Sequence, residues 1–172
     1  MRTVTESITI KALPEFVWHT LLASHEYENW NPIYSFIEGF VELGGQLTIE
    51  VDLDVEEALP FMDEKVAGFL KNANKPPVTK RRYKITDYRE PHLLGWESKA
   101  LGGLLFSVSH RFELSLASDE MTLLKTTMTN SGFLSTLMPE SFFRNYHKAL
   151  CMAFNKALKW YVEEGQSDKH RL

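Results

Sequence analysis

His110 stands in the middle of an alternating run in which Phe106, Val108, His110, Phe112 and Leu114 fall on one face of a strand. If that face is the inner one, a neutral imidazole there can accept a proton near pH 7 or contact a bound molecule. The other reading is a histidine hydrogen-bonded within a core. Tyr146 offers a hydroxyl able to orient a carbonyl, and Thr126, Tyr83 and Asn130 are further polar candidates. His110, Tyr146 and Thr126 are therefore the candidate catalytic set. They form no recognisable triad, and no Gly-X-Ser-X-Gly elbow, phosphate loop or dinucleotide fingerprint is present. Cys151, the single cysteine, follows His147 by one helical turn. A catalytic pair or a small core residue beside a partly exposed histidine both fit that spacing. The histidines are scattered, and Asp52, Asp54, Glu56 and Glu57 lack the spacing and glycine of a calcium loop, so no metal site and no cofactor are expected.

The elements that must position these groups are legible in order. Thr3 to Lys11 alternates as a half-buried strand. Pro14 and Glu15 suit a first helical turn, with Val17, Leu21 and Leu22 behind them. Ser24 is read as the cap of a second short turn that ends at Trp30-Asn31-Pro32. Ile33 to Leu43 reads as a strand, Gly44-Gly45 as a hairpin, and Leu47, Ile49, Val51, Leu53 and Val55 as one buried strand face. Residues 56–78 break the rhythm and form an insertion, in which Met62–Lys71 has an amphipathic pattern suited to a lid. Strands follow at Lys80–Tyr88, Leu93–Lys99, Leu105–Leu116 and Met121–Asn130. The long stretch Pro139–Glu164 has apolar residues at three- and four-residue steps, with Phe143, Tyr146, Leu150, Phe154, Leu158 and Tyr161 on one side. Arg144, Lys148, Asn155 and Lys159 make its polar line, and Gly165 is expected to end it. At 1.5 Å per residue this helix is roughly 38 Å long.

The 172 residues suit one domain, read as 1–165 with a polar tail over 166–172. The net charge of −4 argues against a general nucleic-acid binder. The basic run Lys80-Arg81-Arg82 reads as a solvated strand start. The first ten residues lack a signal-peptide pattern and no apolar run approaches a membrane span, so a cytoplasmic protein is expected.

Ile8-Thr9-Ile10-Lys11-Ala12-Leu13-Pro14-Glu15-Phe16-Val17-Trp18, Tyr27-Glu28-Asn29-Trp30-Asn31-Pro32, Gly44-Gly45-Gln46-Leu47, Leu93-Leu94-Gly95-Trp96 and His110-Arg111-Phe112-Glu113-Leu114, with the helix after Gly132, resemble the START-like (SRPBCC) superfamily. The nearest likeness is to its polyketide cyclase/dehydrase-like branch, over about Ser7 to Glu164. The resemblance implies an α+β helix-grip fold: about seven antiparallel strands curved around a long C-terminal helix, with two short helices after the first strand. Met128 stands where this branch often carries a glutamate, so that carboxylate's role has no counterpart here.

The resemblance further implies a cavity between sheet and helix. Its expected lining is Trp30, Phe36, Trp96, Phe106, His110, Phe112, Met128, Phe133, Phe143, Tyr146, Leu150 and Phe154, aromatics that equally serve a packed core. Three functions follow as expectations: binding of a small hydrophobic molecule of lipid, polyketide or aromatic type; cyclase or dehydratase chemistry in the same cavity; or a co-chaperone-like module with a filled core, an exposed apolar patch and a protein partner.

Overall fold

A computed structural model describes residues 1–51, 58–72, 79–137 and 139–169, with side chains left undescribed at 35–37, 69–72, 79 and 165–169. Seven strands form one antiparallel sheet in the order β1-β7-β6-β5-β4-β3-β2. They are β1 (Arg2–Ile10), β2 (Tyr34–Gly39), β3 (Gln46–Val51), β4 (Thr79–Arg89), β5 (Leu93–Ala100), β6 (Phe106–Ser118) and β7 (Met121–Ser131). Helix α1 (Pro14–Leu22) has Pro14 in its first turn and buries Val17, Trp18 and Leu21. A 3-10 segment, Ser24–Asn29, follows; its cap position is Ala23 and no side chain caps it, so the capping role expected of Ser24 is not seen. Later come α2 (Glu64–Asn72), α3 (Phe133–Leu137) and α4 (Glu140–Lys169).

The strand alternation sets the two faces of the sheet. One continuous row, Ile85–Trp96–His110–Met128–Val4, runs across β4, β5, β6, β7 and β1 on the inner face. The outer face carries hydroxyl pairs, Thr3 with Thr129 and Thr5 with Thr127, each at 3.1 Å. Helix α4 lies on the inner face. Its far half is tied to the edge: Lys159 Nζ donates to the Thr9 carbonyl at 2.6 Å, and the Lys11 N–H donates to Glu163 at 2.7 Å. Residues 52–57, including the acidic positions of that stretch, lie outside the described residues, as do 73–78.

Three expectations about the end of the chain change. Gly132 has φ +91° and an added Cβ would lie 2.8 Å from the Leu105 backbone, so the chain turns there into the unanticipated helix α3. Gly165 does not end α4, which continues to Lys169. Asn155 is not on the solvent line of the helix. It is buried and accepts a 2.6 Å hydrogen bond from the Thr126 hydroxyl.

Candidate functional site

The deep part of the space between sheet and helix is occupied by side chains. Trp96 and Phe112 have ring centroids 5.0 Å apart, Phe112 and Phe154 5.1 Å, and Trp30 and Phe154 5.5 Å. With Leu150 they belong to one buried cluster, so Trp30, Trp96, Phe112, Leu150 and Phe154 are core members, and Tyr34 joins the same cluster. Such ring pairs in edge and tilted arrangements stabilise a core beyond simple burial.

Polar groups gather toward the other end of the inner face, where β4 begins and β5 ends. The Tyr34 hydroxyl lies 2.9 Å from His110 Nδ1 and both residues are buried. Tyr34 reaches the inner face because the β2–β3 register shifts between Tyr34 and Phe36. The side chain of Phe36, expected in the lining, lies outside the described residues. Burial, aided by His147 and Arg81, lowers the His110 pKa to about 3, so the imidazole is neutral in ordinary buffers.

A second chain of bonds runs beside it. His147 Nδ1 lies 2.9 Å from the Phe143 carbonyl and so carries the proton. Burial lowers the pKa of this histidine, leaving Nε2 as the acceptor for Asn130 Nδ2 at 2.9 Å. That direction of donation orients the amide and leaves Asn130 Oδ1 buried with no partner; Trp96 Nε1 is in the same condition. His147 is thus buried and fully engaged, not the partly exposed residue expected. It makes no catalytic pair with Cys151, whose thiol burial pushes up to about 12.

Thr126 is likewise committed, to Asn155. Tyr146 is half-buried and packs against the core. Burial raises its hydroxyl pKa to about 12, with Arg81 pulling the other way. Phe106 is partly buried, and the Arg81 guanidinium carbon sits 5.9 Å from its ring centre. Phe143 is buried against His147, at 4.1 Å between ring centres, under the Arg2 guanidinium. Met128 is buried beside His110 in the cross-strand row. Phe133 does not line this space: it is 64% exposed, because Gly132 and α3 carry it outward. Tyr34 and Arg81 were missing from the expected set. Arg81 was findable, since it shares strand parity with Tyr83 and Ile85.

A groove of about 830 Å³ opens beside this end, between α2, α3 and the start of α4. Val66, Leu134, Leu137, Pro139 and Phe142 form its apolar walls, with Asp63 and Lys65 at the rim. Phe142 stacks on Tyr146 at 6.0 Å, linking the groove wall to the polar cluster. Asp63 fixes α2 there. One carboxylate oxygen accepts the Val66 N–H at 2.8 Å and the other accepts from Asn145 of α4 at 2.6 Å. Around the same end, Leu101, Leu104, Leu134 and Leu137 are exposed, and the Phe133 and Leu134 N–H groups donate to the Leu104 and Leu105 carbonyls.

No protein-family model matches the chain, and no curated protein matches it in sequence. Solved structures do match in shape. A START superfamily protein from Mycobacterium smegmatis superposes with a TM-score of 0.66 at 13% identity, over 94% of this chain and 97% of that one. The Aha1 protein of Colwellia psychrerythraea, solved as a dimer, gives 0.61 at 16% identity, over 96% and 98%. The di-domain ARO/CYC StfQ from the steffimycin biosynthetic pathway gives 0.63 at 9% identity, over 96% of this chain and 51% of that one. The sheet order, the short helices after β1 and the long closing helix are thus the helix-grip fold of START-like proteins. At these identities the likeness is one of fold. Among the described residues no helix is long and apolar enough to cross a membrane.

Proposed function

We propose that the protein binds a small hydrophobic molecule, of aromatic, polyketide or lipid type, at the end of the inner face where Tyr34, Trp96, His110 and Asn130 meet. The observation that carries this reading is Asn130 Oδ1, a buried acceptor left without a partner once His147 fixes the amide; Trp96 Nε1 is unpartnered too, as are Nε1 of Trp18 and Trp30 and Nδ2 of Asn31 elsewhere. A buried donor or acceptor left unpaired costs about 1–3 kcal/mol, which a ligand offering one acceptor and one donor recovers. The apolar groove that opens beside these residues has the kind of walls that ligand sites use. A base with a pKa near 3 is weak at neutral pH, so His110 favours binding and orientation over proton abstraction. Filling the space tests the reading. Val108, buried on the inner face, replaced by tryptophan (Val108→Trp) should abolish binding of the neutral dye N-phenyl-1-naphthylamine. Unchanged affinity in a folded variant contradicts the proposal.

A second reading rests on a different observation. Leu101 and Leu104 are 77% and 82% exposed, and Leu101 has φ +49°, where glycine or asparagine is favoured. Neither backbone preference nor internal packing accounts for leucine there, and exposed apolar clusters mark interaction surfaces. This is the protein-partner module. It predicts that Leu101→Ser with Leu104→Ser removes a stoichiometric protein partner without lowering the Tm. If every partner survives that double substitution, this reading fails.

A further inference from the structure

Arg81 is the middle residue of the basic run Lys80-Arg81-Arg82, all three of which are exposed. It belongs to β4, with Ile49 of β3 opposite it, and it shares the inner-face parity of Tyr83 and Ile85, both buried. Its guanidinium sits 5.9 Å from the ring centre of Phe106, which belongs to β6. Strand β5 lies between the two. Neighbouring strands are about 4.8 Å apart, so the side chain reaches across β5 toward the Phe106 ring while remaining exposed, in keeping with the solvated strand start expected of Lys80-Arg81-Arg82. Ala100, the β5 residue opposite Phe106, is small enough to leave that path open.

The neighbouring cations are paired differently. Lys80 lies 3.3 Å from Glu50 and Lys99 lies 2.6 Å from Glu97. Among the described residues Arg81 has no carboxylate within ion-pair distance. Its guanidinium hydrogen-bonds the Tyr83 side chain, leaving further donors of the fork, and its charge is felt by Tyr34, Tyr83, His110 and Tyr146. A guanidinium is a planar fork of donors that matches an oxyanion in two-point fashion.

We infer that the ligand carries an oxyanion, a carboxylate, sulfonate or phosphate, held by the exposed Arg81 guanidinium, with its apolar body against Phe106 and the neighbouring aromatic rings. This rests on the ligand-binding reading above and names the class of ligand that reading left open.

Two dyes that differ in one group test it. 1-Anilinonaphthalene-8-sulfonate and N-phenyl-1-naphthylamine share a ring system, and only the first carries a sulfonate. Both are titrated by fluorescence against the wild type, Arg81→Gln and Arg81→Lys, with Leu101→Ser/Leu104→Ser run alongside to subtract dye held at the exposed leucines. Loss of a charge-assisted, two-point contact should weaken the sulfonate dye by about tenfold in Arg81→Gln, leave the neutral dye within about twofold, and give Arg81→Lys an intermediate value. Equal affinity of the sulfonate dye for wild type and Arg81→Gln overturns the inference, and so does an equal loss for both dyes, which would make Arg81 a wall and not an anion anchor. In those two cases the neutral dye's binding to the wild type keeps the ligand-binding reading intact. Failure of both dyes to bind the wild type overturns that reading and this inference together.

Discussion

Tyr34 and His110, 76 positions apart in sequence, share a buried hydrogen bond of 2.9 Å at the centre of the candidate site. The bond joins β2, the edge strand, to β6 across the three strands β3, β4 and β5 that separate them, so it spans the curvature of the inner face. Tyr34→Phe removes the hydroxyl and leaves a buried ring nitrogen unpaired. The expected loss is about 1–3 kcal/mol, read from the urea midpoint at constant m-value. A change below about 0.5 kcal/mol, the range of ordinary surface substitutions, would show that the bond contributes little.

His110 also makes stability depend on pH. Its folded pKa, about 3, lies below its ordinary 6.5, so between those values the unfolded chain binds more protons. The stabilisation is therefore complete above pH 6.5 and is lost as pH falls toward 3. His147 is shifted in the same direction. Chemical denaturation at stepped pH should show stability falling below pH 6.5, by up to about 1.4 kcal/mol per pH unit for each histidine. His110→Gln should flatten that slope. An unchanged slope in the variant would place the pH dependence elsewhere.

Thr126 and Asn155 form one of two buried polar pairs that hold α4 to β7, at 2.6 Å, the other being Asn130 with His147. Asn155→Leu leaves the threonine hydroxyl unpaired in the core and should cost about 1–3 kcal/mol. Thr126→Val with Asn155→Leu should recover part of that loss, because neither partner is then unsatisfied. Additive losses in the double-mutant cycle would mean that the two groups do not interact.

How much of this was legible in the sequence depended on how local the signal was. Alternation and glycine turns located every strand, and the three- and four-residue spacing located α4. The register was another matter. The register of β2 against β3 shifts between Tyr34 and Phe36, which breaks the strand's simple alternation, and no local pattern announces it. The sequence pattern puts Asn155 on the helix's polar line and leaves His147 partly exposed; their partners, Thr126 and Asn130, come from a strand whose pairing with the helix is set only in the fold. Phe133 was placed inside by its aromatic character, but backbone crowding at Gly132 sends it out. Of the expected lining, the deep aromatics proved to pack on one another.

Helix α2 occupies the insertion expected to act as a lid, and its hold on α4 passes through Asp63. Asp63→Ala removes both the cap and the bond to Asn145. Loss of such a cap costs about 0.5–2 kcal/mol locally. Amide exchange over 64–72 should accelerate, and on- and off-rates of the neutral dye should rise together. Faster exchange with unchanged dye rates would separate α2 from ligand entry.

The central claim is that the helix-grip interior of this chain holds a small molecule. Native mass spectrometry of the purified protein, set against the same sample denatured, tests it most directly. The account predicts a folded mass exceeding that of the chain by one small molecule, lost on denaturation and absent from Val108→Trp. A folded protein that shows the bare chain mass, and still does so after incubation with the neutral dye, would contradict it and leave the exposed leucines as the better guide to function.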